Sequence, residues 1–171
     1  MAQSGHHLLN NKGNSLAEFA VTMAIMATLA TTSAPAFSRI GEGAKAKQTN
    51  RNLEKIASAA RNWYNHEVEV NGMGKFPAQA HRTSDIGEIV DSDNNRRIDK
   101  SEIEQSTFVP VWNDTTFLHQ FDNDTIRSPY QEGKYHYAVL GGGGTGDNII
   151  SPIFVVVDTE NKEDFFFYFK P

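Results

Sequence analysis

Residues 91–102 read DSDNNRRIDKSE, and their oxygen-bearing side chains recur at a spacing that could hold a hard cation. Asp91, Asp93, Asn95, Asp99 and Glu102 take the first, third, fifth, ninth and twelfth places of the segment. Calcium takes about six to eight oxygen ligands, and alternate side chains of a curled loop can converge on one centre. Four carboxylates supply negative charge here, while Arg96, Arg97 and Lys100 return positive charge beside them. Asp and Asn are also ordinary turn residues, so a solvated acidic loop is the alternative reading.

The segment is similar to the twelve-residue EF-hand calcium loop. The resemblance gives Arg97 the seventh place, where only the backbone carbonyl would serve as a ligand, and has Glu102 contribute both carboxylate oxygens. Ile98 takes the eighth place, where an apolar residue anchors the loop to a core. Arg96 stands where the pattern wants glycine for a turn with φ > 0, at a cost of about 1 kcal/mol or a little more. That misfit and the nearby cations imply a single weak site, with Kd on the order of 10⁻⁴–10⁻³ M. A structural role that clamps a long connection is expected rather than sensing. Short helices are expected on either side, at Gly87–Val90 and Ser101–Glu104.

A second chemical signal lies near the N-terminus. Residues 12–35 read KGNSLAEFAVTMAIMATLATTSAP, and no charged residue falls between Phe19 and Ser38. That run is 20 residues long. At about 1.5 Å per residue a helix of that length could cross a hydrocarbon core of roughly 30 Å. Thr22, Thr28, Thr31, Thr32 and Ser33 dilute it, and Pro35 lies towards its far end. Glu18 immediately precedes it, and a carboxylate at the head of an apolar segment needs a partner. A secretory signal cut near Ala36 is an alternative, but such signals carry no acid at the start of their apolar core.

The order Lys12-Gly13, Asn14-Ser15-Leu16-Ala17-Glu18-Phe19 and then the uncharged run resembles the N-terminus of type IV pilins and type II secretion pseudopilins. Counting from Asn14, Glu18 is fifth and Pro35 twenty-second, and both fall on landmarks of that family. The resemblance implies a leader, residues 1–13, cut after Gly13 by a prepilin peptidase, with methylation of the new terminus at Asn14. It also implies that Glu18 meets the terminal amine of a neighbouring subunit during assembly. The partners implied are copies of the chain, other pilin-like subunits and an inner-membrane assembly machinery. The location implied is the inner membrane for the precursor, then a surface or periplasmic filament. Two departures stand out: Asn14 replaces the usual Phe or Met, and the chain has no cysteine for a C-terminal disulfide. The second favours a pseudopilin, or a pilin that uses calcium instead. The bland reading of Glu18 is an acid at a helix start, favoured by the dipole.

These residues need elements to hold them. Residues 14–40 are read as the hydrophobic membrane and assembly helix, and 41–70 as an amphipathic continuation. In that continuation Leu53, Ile56, Ala57, Ala60, Trp63 and Tyr64 form one apolar stripe, with Asn52 and Glu54 on the polar side. Pro35, Gly41 and Gly43 predict a kink or a locally melted stretch. Residues 71–171 form the head, with strands expected at 107–112, 134–140, 152–157 and 165–169. FFFYF at 165–169 shows no alternation, which predicts cover on both faces. The expected class is α+β, a long N-terminal helix packed on an antiparallel sheet, pilin-like.

Composition narrows the function. The full chain has 171 residues, 16 basic and 21 acidic, for a net charge of −5, so no nucleic-acid partner is indicated. Without cysteine there is neither a thiolate metal site nor a cysteine nucleophile. His6, His7, His66, His81, His119 and His136 show no metal-ligand spacing, and Asp122-Asn123-Asp124 reads as a turn. The run Gly141–Gly144, Thr145, Gly146 lacks the ending of a phosphate-binding loop. The expectation is a structural protein, not an enzyme. A membrane-anchored monomeric calcium-binding module is the rival.

Overall fold

The computed structural model describes residues 12–144 and 149–171, without the side chains of 12–19, 21, 22 and 24–40. The described chain divides into two units, one ending at Gly43 and the other spanning Ala44–Pro171. Helix α1 spans Lys12–Asn71, and Gly72 follows it at φ +71, with its N–H on the Val68 carbonyl. A glycine in the left-handed region is the usual way to end a helix. The melted stretch expected around Pro35, Gly41 and Gly43 is not observed: the helix is continuous through all three. Among the described residues no helix is long and apolar enough to cross a membrane. Most side chains of the Phe19–Ser38 run lie outside those residues.

In the second unit the remaining elements are α2 (Lys100–Gln105), β1 (Val109–Pro110), a 3-10 turn (Val111–Asn113), α3 (Thr115–Gln120), β2 (Tyr135–Leu140), β3 (Ile153–Asp158) and β4 (Phe166–Phe169). The strands form one antiparallel sheet in chain order. The 107–112 segment yields only two strand residues, because Pro110 has no N–H for a ladder and the chain turns at once into the 3-10 turn.

Side chains alternate across β3, and both of its faces are covered. Phe154 and Val156 join Tyr135, Tyr137 and Val139 of β2 against Leu53, Ile56, Ala57 and Ala60 of α1. Ile153, Val155 and Val157 face the other way and pack with Ile98 and Ile103. The sheet is therefore a partition, with α1 on one side and the acidic segment with α2 on the other. The double cover expected of FFFYF belongs to β3. β4 is a sheet edge, half-buried, with Tyr168 41% exposed. Asp122-Asn123-Asp124 is a turn, with Asp122 and Asn123 both at positive φ.

Candidate metal centre

The acidic segment begins and ends at one place. Glu88 and Thr107 exchange backbone hydrogen bonds at 3.0 and 2.8 Å. The Val90 N–H donates to the Ser106 hydroxyl at 2.9 Å, and that hydroxyl donates to the Glu102 carbonyl at 2.7 Å. Gly87 sits at φ +67, where a Cβ would lie 2.5 Å from the Thr107 carbonyl, so no other residue lets the two flanks meet this closely. This pairing replaces the helix expected at Gly87–Val90. The helix expected on the far side is α2. Asp99 caps it and accepts from the Glu102 N–H, while Glu102 Oε2 accepts in return from the Asp99 N–H. That reciprocal box satisfies two otherwise unpaired donors at the start of the helix.

Within the closed segment Asp91, Asp93 and Glu102 each offer a carboxylate oxygen, all within 4.8 Å of one another. Oxygens that share a calcium ion at about 2.4 Å each stand no farther apart than this. The donor set is all oxygen and its carboxylates converge, so it fits a hard cation. Glu102 is only 3% exposed, and its Oε1 accepts from Ser92 N–H and Oγ at 2.9 and 3.0 Å. A carboxylate that deep needs such donors or a cation. Asp91 accepts the Arg96 N–H at 3.3 and 3.2 Å, the bond that closes the turn over the centre.

Arg96 takes φ +57, the left-handed conformation expected of its place, and holds it without being glycine. The strain is about 1–2 kcal/mol. Its guanidinium donates to the carbonyls of Ser151 at 2.8 Å and Gly141 at 3.2 Å, away from the carboxylates, while its Nε is buried without a hydrogen-bond partner. Lys100 is drawn off as well: Nζ lies 2.6 Å from Asp164 Oδ1, whose hydrogen bond and charge raise the lysine pKa. Two of the three cations expected to oppose a metal are thus occupied elsewhere.

The expected ligand set is only partly gathered. Asp91, Asp93 and Glu102 converge, whereas Asp99 is spent on the cap. The Ser101 hydroxyl, then the Glu102 N–H, hold its pKa below the ordinary carboxylate value. Asn95 donates from Nδ2 to Asp93 Oδ2 and accepts the Arg97 N–H at 2.5 Å. Ile98 is the apolar anchor, 5% exposed in the second core. Ser92 was not singled out from the sequence, since a serine in a polar turn carries no distinguishing signal. Gly13, Asn14 and Glu18 fall in the first turns of α1, but their side chains, and the pairing of Glu18 with the Asn14 amine, lie outside the described residues.

A cavity of about 570 Å³ elsewhere is lined by Glu67, Met73, His81 and Arg82. Glu67 is already engaged there with the Asn71 amide at 2.9 Å and Lys75 Nζ at 3.7 Å. No protein-family model matches the chain, and no curated protein or solved structure matches it at a significant level.

Proposed function

We propose that this chain is a structural subunit of a pilus-like filament, a type IV pilin or pseudopilin. It is made as an inner-membrane precursor, cut after Gly13 and polymerised through its N-terminal helix. Glu18 pairs with the new amine of Asn14 on a neighbouring subunit and so sets the register, while the apolar residues around it supply contact area. A register that leaves either charge of such a poorly hydrated pair without its partner is strongly disfavoured, which makes the pair a selective register mark. The head carries a calcium-stabilised connection, residues 91–102, held by Asp91, Asp93 and Glu102. Bound calcium would supply a crosslink between the two ends of that connection and no reaction.

The observation that supports this most is the continuity of α1 with the motif at its start. One helix, Lys12–Asn71, carries the Gly13-Asn14 and Glu18 landmarks at one end. Its other end lays Leu53, Ile56, Ala57 and Ala60 on the sheet. The intact mass of the protein recovered from native membrane or sheared surface material is the test. Loss of residues 1–13, with or without one methyl group, is expected. A full-length mass would leave only the anchored calcium module, and a cut near Ala36 would make it an ordinary exported domain. Glu18→Ala separates filament from anchor: the filament reading expects assembly to fail, the anchor reading expects no change.

A further inference from the structure

The β2–β3 hairpin is pinched by two arginines from outside it. Its neck is a pair of reciprocal hydrogen bonds between Gly143 and Ile150, both at 2.9 Å. Arg82 donates to the carbonyls of Gly143 and, at 3.3 Å, of Ile150. Arg96 donates to the carbonyls of Gly141 and Ser151, one residue or two farther down each arm. Each guanidinium therefore bridges both arms of the hairpin. The two differ in where their backbones stand. Arg82 lies outside the acidic segment, whereas Arg96 sits at its turn, with its N–H on the Asp91 carboxylate.

We propose that Arg96 makes the acidic segment and the hairpin neck one coupled unit, so that calcium held by Asp91, Asp93 and Glu102 tightens the neck and a closed neck raises affinity for calcium. The proposal rests on the calcium reading above and concerns its regulation. In the formed turn the Asp91 carboxylate holds the Arg96 N–H, and from that left-handed conformation the side chain reaches the neck. A cation that orders the turn therefore orders the guanidinium, and with it both arms. Linkage makes the effect reciprocal: whatever loosens the neck must weaken calcium binding by the same factor. This also accounts for an arginine at a place where glycine would be less strained.

The test uses the full-length chain in detergent, with calcium chloride titrated by calorimetry and amide exchange followed residue by residue. In the parent protein calcium is expected to slow exchange at Gly143 and Ile150. Arg96→Gly, or Arg96→Asn, which tolerates the same backbone, is expected to bind calcium yet lose that response. Arg82→Ala leaves the acidic segment intact but frees one bridge, and is expected to weaken calcium binding about five-fold. In an Arg96→Gly background Arg82→Ala should have no such effect. Calcium binding with an unresponsive neck, or an Arg82→Ala effect that persists without Arg96, overturns the coupling alone. No binding heat in the parent protein overturns the calcium reading and the coupling with it.

Discussion

The side-chain amide of Asn52 on α1 donates to the hydroxyl of Tyr135 on β2 at 2.9 Å, across 83 positions of sequence. Both residues are buried, at 6% and 1% exposure, so this polar bond lies inside the layer that joins helix to sheet. It fixes how α1 lies on the sheet more narrowly than the surrounding leucine and isoleucine contacts can, because a hydrogen bond fails within a fraction of an ångström and an apolar contact does not.

Removing both partners is therefore expected to cost less than the sum of removing each alone. Asn52→Leu removes the amide that donates to the buried Tyr135 hydroxyl and should cost about 1–3 kcal/mol in urea unfolding. Combined with Tyr135→Phe, the loss should fall well below the sum of the two single changes. Additive losses would show that the pair does not act as a unit.

Calcium should stabilise the head by mass action. With Kd on the order of 10⁻⁴–10⁻³ M, about 10 mM calcium adds roughly 1.4–2.7 kcal/mol to unfolding. Glu102→Gln removes the buried carboxylate of the cluster and should abolish that increment while leaving the shape of the capping box. Magnesium at equal concentration should do less, since it gives up its waters reluctantly. Melting curves with each ion and with chelator decide the matter, and equal curves throughout would sink the site.

Gly87→Ala tests the closure of the segment. The alanine methyl would meet the Thr107 carbonyl at a backbone angle that alanine resists. A loss of about 1–3 kcal/mol is expected, with a weaker calcium response, because the flanks at Glu88 and Thr107 can no longer pair as closely. An unchanged melting temperature would mean that the flanks are free to separate.

Alkali should loosen the fold through Tyr137. Burial, then the charge of Asp114 and the hydrogen bond to it at 3.0 Å, push this phenol above its ordinary value of 10.0. The folded chain keeps a proton that the unfolded chain releases near pH 10, so stability is full below that pH and falls above it. Tyr135 is raised in the same direction, mainly by burial. Unfolding measured from pH 8 to 11 should show the decline, and Tyr137→Phe should make it shallower. A slope unchanged in that variant would place the alkaline loss elsewhere.

Much of the scaffold was legible from local pattern. The stripe Leu53, Ile56, Ala57 and Ala60 announces a buried helix face, and three of the four strands follow β-branched and aromatic runs closely. The misses share one cause. Asn52 reads as polar and is buried because its partner lies on a strand far along the chain. FFFYF reads as central and lies at an edge because strand order is not written in any single strand. Gly87–Val90 reads as a helix start and becomes a bridge because Thr107 is there to pair with it.

The acidic segment divides in the same way. Oxygen-bearing residues at alternating places are legible in the sequence itself, and the resemblance to the EF-hand loop adds the apolar anchor at Ile98 and the positive φ at Arg96. Which carboxylates converge, and where Arg96 and Lys100 send their charge, were decided only by tertiary structure. Asp99 was taken by the helix cap, and Arg96 and Lys100 found partners at Ser151 and Asp164. Local spacing sets what a residue could reach. Competition among partners brought together by folding sets what it does reach.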